Sequence, residues 1–393
     1  MHQSCSRWGA ILAALTVAGL VAARAGAQNL DPGELAAALA LPIVTGGQAP
    51  NPIKNTPGDV IVLDDAALTL HTITNGRSTP VLLRLDAISG DPPPTGDVWQ
   101  SDSFDCLLTG RETVTVLAIP AGAGAILFAE CSTPHATGGA LAEPRMVAAK
   151  AANGILWVAA ADPATGTTVS EDVLFGDAVV VDAALGQAYS FSAINFQAGQ
   201  EFNDGDKIFR FDNQEYARWP STLAANFIAP TATLAAELIL FTLDGTTGNP
   251  TAPRASVSGL AYNDDELYFD FQHEFDCFDI VPLAAITPNF TFPFLGSLSG
   301  HLQLVPQPVG TVGTDVHDAS YGDANNSRRR PVHGWIVQSV QGALLPGGQP
   351  IPGAPALGVD VPAAWARPLT QGRGALVPFL ADQDPTLDTD PLL

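Results

Sequence analysis

Residues 266–280 read ELYFDFQHEFDCFDI and alternate from Glu266 to Cys277. Leu267, Phe269, Phe271, His273, Phe275 and Cys277 fall on one face, and Glu266, Tyr268, Asp270, Gln272, Glu274 and Asp276 on the other. A period of two is the repeat of a β-strand with one buried and one wet face. Similar short runs recur at close spacing through most of the chain: VIVL, ALTLHTIT, TPVLLRLDAIS, ETVTVLAIP, AILFAEC, NGILWVAA, DAVVVD, QAYSFSAINF, TATLAAELILFTLD, ASVSGLAYN, FPFLGSLSGHLQLVP and HGWIVQSV. Turn residues separate them, Gly and Pro together numbering 69 of 393. Strands at this spacing without regular helical interludes predict an all-β fold of sandwich-like domains. Asn75-Gly76, between two of the runs, is a hairpin signal.

A chain of 393 residues exceeds one ordinary core and predicts two domains in tandem. The expected organisation has a signal peptide at 1–27, a short helix and linker at 28–57, and a first β-sandwich domain at 58–196. A junction at 197–232, a second β-sandwich domain at 233–342 and an irregular Pro/Gly-rich C-terminal tail at 343–393 complete it. The signal reading rests on Arg7, an apolar run of 15 residues at 9–23, and the small-x-small pattern Ala25-Gly26-Ala27. The helix reading rests on LDPGELAAALAL (30–41), where Asp31 suits an N-cap and Pro32 the first helical position. After the signal, no run is long and apolar enough for a membrane span, so a secreted or periplasmic protein is expected.

Removing Arg7 and Arg24 with the signal takes the formal net charge from −23 to −25. A surface so acidic repels nucleic acid and anionic lipid, leaving an extracellular protein or a polysaccharide as the partner to expect. Cys106, Cys131 and Cys277 follow the signal, and an oxidising compartment favours one disulfide among them. Cys106 and Cys131 flank two apolar runs around PAGAGA, so a hairpin bridged at its outer ends is expected, with Cys106–Cys277 as the rival pairing.

The chemistry-bearing residues fall into four groups. His273 and Cys277 lie four apart on one strand face, about 13 Å, too far to share a metal or form a nucleophile pair. That wall reads as core, with His273 hydrogen-bonded to backbone or a polar partner. In FNDGDKIFRFDNQE, Asn203, Asp204, Asp206 and Asp212, with Glu215, offer hard oxygens around Gly205, a possible calcium site despite spacing unlike the EF-hand loop. In GTDVHDASYGD and RRRPVHGW, the cluster of Asp315, His317, Asp318 and His333, with Ser320 and Asp323, has the side chains of a metal or acid–base site; arginine-paired surface loop is the competing reading. Tyr216, Trp219 and Trp365 are aromatics in apparent non-strand segments that suit a sugar platform. The chain has no G-x-S-x-G: GSLSG (296–300) places Leu298 at its centre. It also lacks H-E-x-x-H, a P-loop and a dinucleotide fingerprint.

The runs FDCLLTGRETVTVLAIPAGAGAILFAEC, DAVVVDAALGQAYSFSAINFQA and HEFDCFDIVPL resemble a loosely defined set of uncharacterised secreted bacterial proteins. The resemblance spans most of residues 58–305 and implies no activity, cofactor or catalytic residue. The function expected is a secreted, non-enzymatic structural or interaction protein of the bacterial cell envelope or extracellular space. The alternative is an extracellular carbohydrate-binding module or hydrolase.

Overall fold

The computed structural model describes residues 35–46, 51–52, 61–62, 66–90, 101–121, 124–134, 140–149, 152–166, 169, 171–182, 187–199, 216, 220, 222–231, 234–242, 254–263, 267–276, 278–307, 332–340, 344–345, 349–350 and 364–371. They form an all-β protein of antiparallel sheets. The chain divides into two compact units, the main change falling between Asp206 and Lys207.

The strands of the first unit are β1 (Ala38–Val44), β2 (Asn51–Pro52), β3 (Ile61–Val62), β4 (Ala67–Asn75), β5 (Val81–Ser89), β6 (Ser101–Leu108), β7 (Thr113–Ala121), β8 (Gly124–Pro134), β9 (Ala140–Ala149), β10 (Asn153–Ala161), β11 (Leu174–Asp182), β12 (Gln187–Ser192) and β13 (Ile194–Phe196). All except the small β2–β3 pair join one eleven-stranded sheet in the order β12-β11-β4-β7-β8-β6-β5-β10-β1-β13, with β9 on β8. This is a single sheet, where a two-sheet sandwich was expected.

The register traces one continuous buried face. Ala178, His71, Val116 and Ala129 lie side by side across β11, β4, β7 and β8. Phe104, Leu85, Val158 and Leu39 do so across β6, β5, β10 and β1. The far end of the sheet then returns to its beginning, because β1 reaches β11 and β4 through the bridges Ala36–Leu174 and Gly46–Ala67. Beyond its pairing with β13, the edge of β1 is met by side chains. Thr69 Oγ1 donates to Val44 O at 2.7 Å and accepts from Val44 N at 2.9 Å, and a ring nitrogen of His71 sits 2.9 Å from Pro42 O. Buried backbone groups must find partners, and an open strand edge invites unwanted pairing; two polar side chains of β4 meet both demands here.

Three expectations change in this unit. Residues 38–44 are a strand and not part of a helix: β1 pairs with both β10 and β13, and Ala36 to Leu41 are fully buried. Alanine and leucine favour a helix locally, but burial on both faces overrides so small a preference. Asn75-Gly76 does not close a hairpin, since β4 pairs β11 and β7 while β5 pairs β10 and β6. Asn75 instead ties the connection by hand: its Nδ2 donates to Thr79 O and Thr109 O, and its Oδ1 accepts from Arg77 N. The Cys106–Cys131 disulfide is not formed, although both residues are buried on the inner face. Leu107 faces Ser132, which sets Cys106 opposite Thr133 and Cys131 opposite Leu108. The two cysteines are diagonal neighbours, about 7–8 Å apart at Cα, beyond the usual reach of a bridge.

The second unit has β14 (Leu223–Ile228), β15 (Leu234–Phe241), β16 (Arg254–Asn263), β17 (Tyr268–Asp276), β18 (Phe278–Pro282), β19 (Ser299–Gln307), β20 (His333–Val340), the small β21 (Leu344–Leu345) and β22 (Gln349–Pro350) pair, β23 (Ala364–Pro368) and β24 (Thr370–Gln371). Two sheets, β17-β16-β19-β14-β24 and β18-β15-β20-β23, send side chains into one core. Phe227, Val257, Phe271 and Leu304 come from the first sheet, and Leu238, Leu240, Val281 and Ile336 from the second. Phe290 plugs that core, its ring 4.9 Å from those of Phe269 and Phe271 and 5.3 Å from that of Phe227. The opening alternation holds for the middle of β17, where Phe271 and Phe275 are buried and Asp270, Gln272 and Glu274 exposed. β14 falls within the stretch expected as junction, and it occupies an interior position in its sheet.

Candidate functional site

The segment between β18 and β19 reads LAAITPNFTFPFLGSL. Its second half was expected to continue as strand, but it folds into a one-turn helix at Leu283–Ile286, a 3₁₀ turn at Pro288–Phe290 and a second one-turn helix at Phe292–Leu295. Thr287 accepts from Asn289 N at the start of the 3₁₀ turn, Pro288 and Pro293 fit first-turn positions, and Gly296 closes the last turn in the left-handed region at φ 74°. Phe290 and Leu295 turn inward while Phe292, Phe294 and Leu298 turn out.

This turn is bolted to the β16–β17 hairpin by Asn263, which is buried. Its Nδ2 donates to Leu295 O at 2.8 Å, and its Oδ1 accepts from Leu267 N at 2.8 Å. The tie brings Leu267 and Tyr268 to the same end of the unit as the helical turn. Leu267 is 67% exposed, Phe294 69% and Leu298 61%, and Tyr268 and Phe292 are also exposed. Leu267 was expected on the buried face; at the hairpin tip it has passed the end of the core. The surrounding backbone is satisfied: Phe292 N donates to Pro230 O, Leu295 N to Thr291 O, Gly296 N to Phe292 O and Ala229 N to Leu298 O. Leu267, Phe294 and Leu298 therefore stand mostly in water on a hydrogen-bonded frame, with Tyr268 and Phe292 partly exposed beside them in sequence. Isolated exposed apolar residues are ordinary; here Phe292, Phe294 and Leu298 follow one another within seven residues, and Asn263 ties their segment to the hairpin that carries Leu267 and Tyr268.

The residues singled out from the sequence fare differently. His273 is half-buried, its ring stacks on Phe275 with centroids 6.1 Å apart, and its Nε2 shares a 2.7 Å hydrogen bond with Asp279 Oδ2. It is a wall residue with a carboxylate partner, at the margin of the core. Cys277 lies outside the described residues, as do the calcium candidates Asn203, Asp204, Asp206, Asp212 and Glu215 and the cluster residues Asp315, His317, Asp318, Ser320 and Asp323. His333 is not in a surface loop: it begins β20, is buried, stacks on Phe241 at 6.4 Å, and burial pushes its pKa down to about 4. Tyr216 is fully buried and cannot face a sugar, Trp219 lies outside the described residues, and the backbone of Trp365 belongs to β23. Among the described residues no group of three or more His, Cys, Asp or Glu side chains is placed to hold a metal, and no helix is long and apolar enough to cross a membrane.

Sequence reasoning missed the apolar end because FPFLGSL was read as the start of a strand. The signal was present: Thr-Pro and Thr-x-Pro starts followed by Gly describe short helical turns, and no turn so brief can bury every large residue of TFPFLGSL. No family model, characterised protein or solved structure matches this chain.

Proposed function

We propose that this chain is an exported, non-enzymatic binding protein of the cell envelope or extracellular space, and that it makes contact through the apolar end of its second unit. The observation that carries this reading is the exposure of Leu267, Phe294 and Leu298 on a hydrogen-bonded frame. A pre-ordered apolar surface loses little entropy on binding, so its burial is returned mostly as affinity. Leu298 stands where a G-x-S-x-G sequence would carry its nucleophile, and its side chain offers contact area in place of chemistry.

The test is retention on the surface of the cells that produce the protein. The purified protein is expected to sediment with stripped cells, and Phe294→Ser combined with Leu298→Ser is expected to lower retention at least tenfold with an unchanged melting temperature. Equal retention by the double variant would remove the reading.

A further inference from the structure

The 3₁₀ turn that carries the plug residue Phe290 also carries a modification sequence. Asn289-Phe290-Thr291 is an Asn-x-Thr tripeptide with no proline at its centre, the acceptor pattern for an N-linked glycan. The sequence holds one other tripeptide of this kind, Asn325-Asn326-Ser327, which lies outside the described residues. The turn is held by two threonines: Thr287 Oγ1 accepts from Asn289 N, and Thr291 Oγ1 donates to Pro288 O at 2.7 Å. The side chain of Asn289 takes no part. It is half-buried at the surface, and among the described residues its amide makes no hydrogen bond. Asparagine in a turn commonly bonds nearby backbone, as Asn75 and Asn263 do in this chain. The fold makes no such use of Asn289, which leaves its Nδ2 open to chemistry.

We propose that Asn289 is the attachment point of an N-linked glycan, added while the exported chain is still unfolded. The inference rests on the export proposed above. In the transfer, Nδ2 bonds to the anomeric carbon of a sugar carried on a polyprenyl diphosphate. The bond from that carbon to the diphosphate oxygen breaks, the diphosphate leaves with the electron pair, and the amide gives up one proton. Phe290 sets the timing. A transferring enzyme reads Asn289 and Thr291 together, and the residue between them is fully buried, its ring 4.9 Å from those of Phe269 and Phe271. Presenting the tripeptide after folding would pull that ring out of the core. Once the core has closed, the glycan leaves the chain next to the helical turn of the exposed Phe292 and Phe294, where Phe294 N donates to Thr291 O. It adds a bulky hydrated branch there.

The protein is purified from the envelope or medium of the cells that produce it, and its intact mass and proteolytic fragments are measured. The mass should exceed that of residues 28–393 by a whole number of sugar residues, carried on the fragment that holds Asn289. Release by a glycan amidase in heavy-oxygen water should convert Asn289 to aspartate bearing the label. Asn289→Gln and Thr291→Ala should lose the added mass at this site, and Thr291→Ser should keep it. For the timing, unmodified folded protein and a synthetic peptide of residues 283–298 are each offered to membranes of the producing cells with lipid-linked donor. The peptide should be modified at least tenfold faster, and equal rates would overturn the order of events. Bare Asn289 in an exported chain beginning at Gln28, or sugar found at Asn325 alone, would overturn the site. Cell retention of that bare chain would then leave the binding role standing. A bare chain that stays inside the cell with residues 1–27 attached would remove the export on which both readings rest.

Discussion

The two units solve the problem of sheet edges and ends in opposite ways. In the first, the edge of β1 beyond β13 is met by Thr69 and His71, polar side chains turned inward from β4. In the second, two sheets share an apolar core plugged by Phe290, and the end of the unit beside that plug is left apolar and open. Inward polar groups fix one arrangement, because each carbonyl must keep its donor. Outward apolar groups bury little of their surface within the fold and so add less to its stability.

The largest effect expected follows from the plug. Phe290→Ala removes a fully buried ring touching three other phenylalanines, a loss of about 3–5 kcal/mol. If the units are energetically separate, hydrogen exchange should accelerate in β15 and β20 and stay unchanged in β4 and β7. Equal acceleration in both would merge them into one cooperative body and end the contrast as an energetic one.

Acid tests the contrast next. His71 is buried between two carbonyls, Nε2 at 2.9 Å from Pro42 O and Nδ1 at 3.1 Å from Val116 O. A neutral ring has one N–H and can donate to only one of them at a time. Burial dominates and pushes its pKa down to about 4, against partial restoration by those two bonds. The unfolded chain, with an ordinary histidine near 6.5, binds the proton more readily than the folded one. Stability is therefore full above about pH 6.5 and falls as the pH drops towards 4, by about 3 kcal/mol for this group. His333 adds a loss of the same sign in the second unit, its pKa also lowered by burial to about 4. Asp177 and Glu237, both raised by burial, act in the opposite sense near the carboxylate range. In urea titrations followed across this pH window, His71→Gln should flatten the acid dependence of the first unit and His333→Gln that of the second. A slope that survives in both variants would place the acid sensitivity elsewhere.

What was legible in the sequence was whatever one strand decides alone. The alternation of β17 predicts buried Phe271 and Phe275 and exposed Asp270 and Glu274, because period two needs no knowledge of neighbours. What depends on partners was not legible. β1 reads as helix until β10 and β13 enclose it. Asn75-Gly76 reads as a hairpin until β4 and β5 find other neighbours, and Cys106 and Cys131 read as a bridge until the register offsets them. The candidate site suffered most. His333 looked like loop beside Arg328–Arg330 but opens a buried strand, and Tyr216 looked like a platform but is buried. The apolar end depends on a hairpin and a helical turn joined by Asn263 and Leu295, 32 residues apart, which no local pattern announces.

That meeting point gives the most discriminating prediction, with the smallest effect on stability. Asn263→Ala strips Leu295 O and Leu267 N of their side-chain partners, for an expected loss of about 1–3 kcal/mol. Its cost to binding should exceed what its cost to folding explains. The apolar side chains remain, but the hairpin and the helical turn are no longer held together, so ordering them falls on the binding step. Measured well below the melting transition, where the variant is folded, retention on cells should drop at least fivefold while Phe294 and Leu298 are intact. A folded Asn263→Ala protein that binds as well as the parent would show that the apolar residues act independently, and that the frame joining the two segments is a feature of the fold alone.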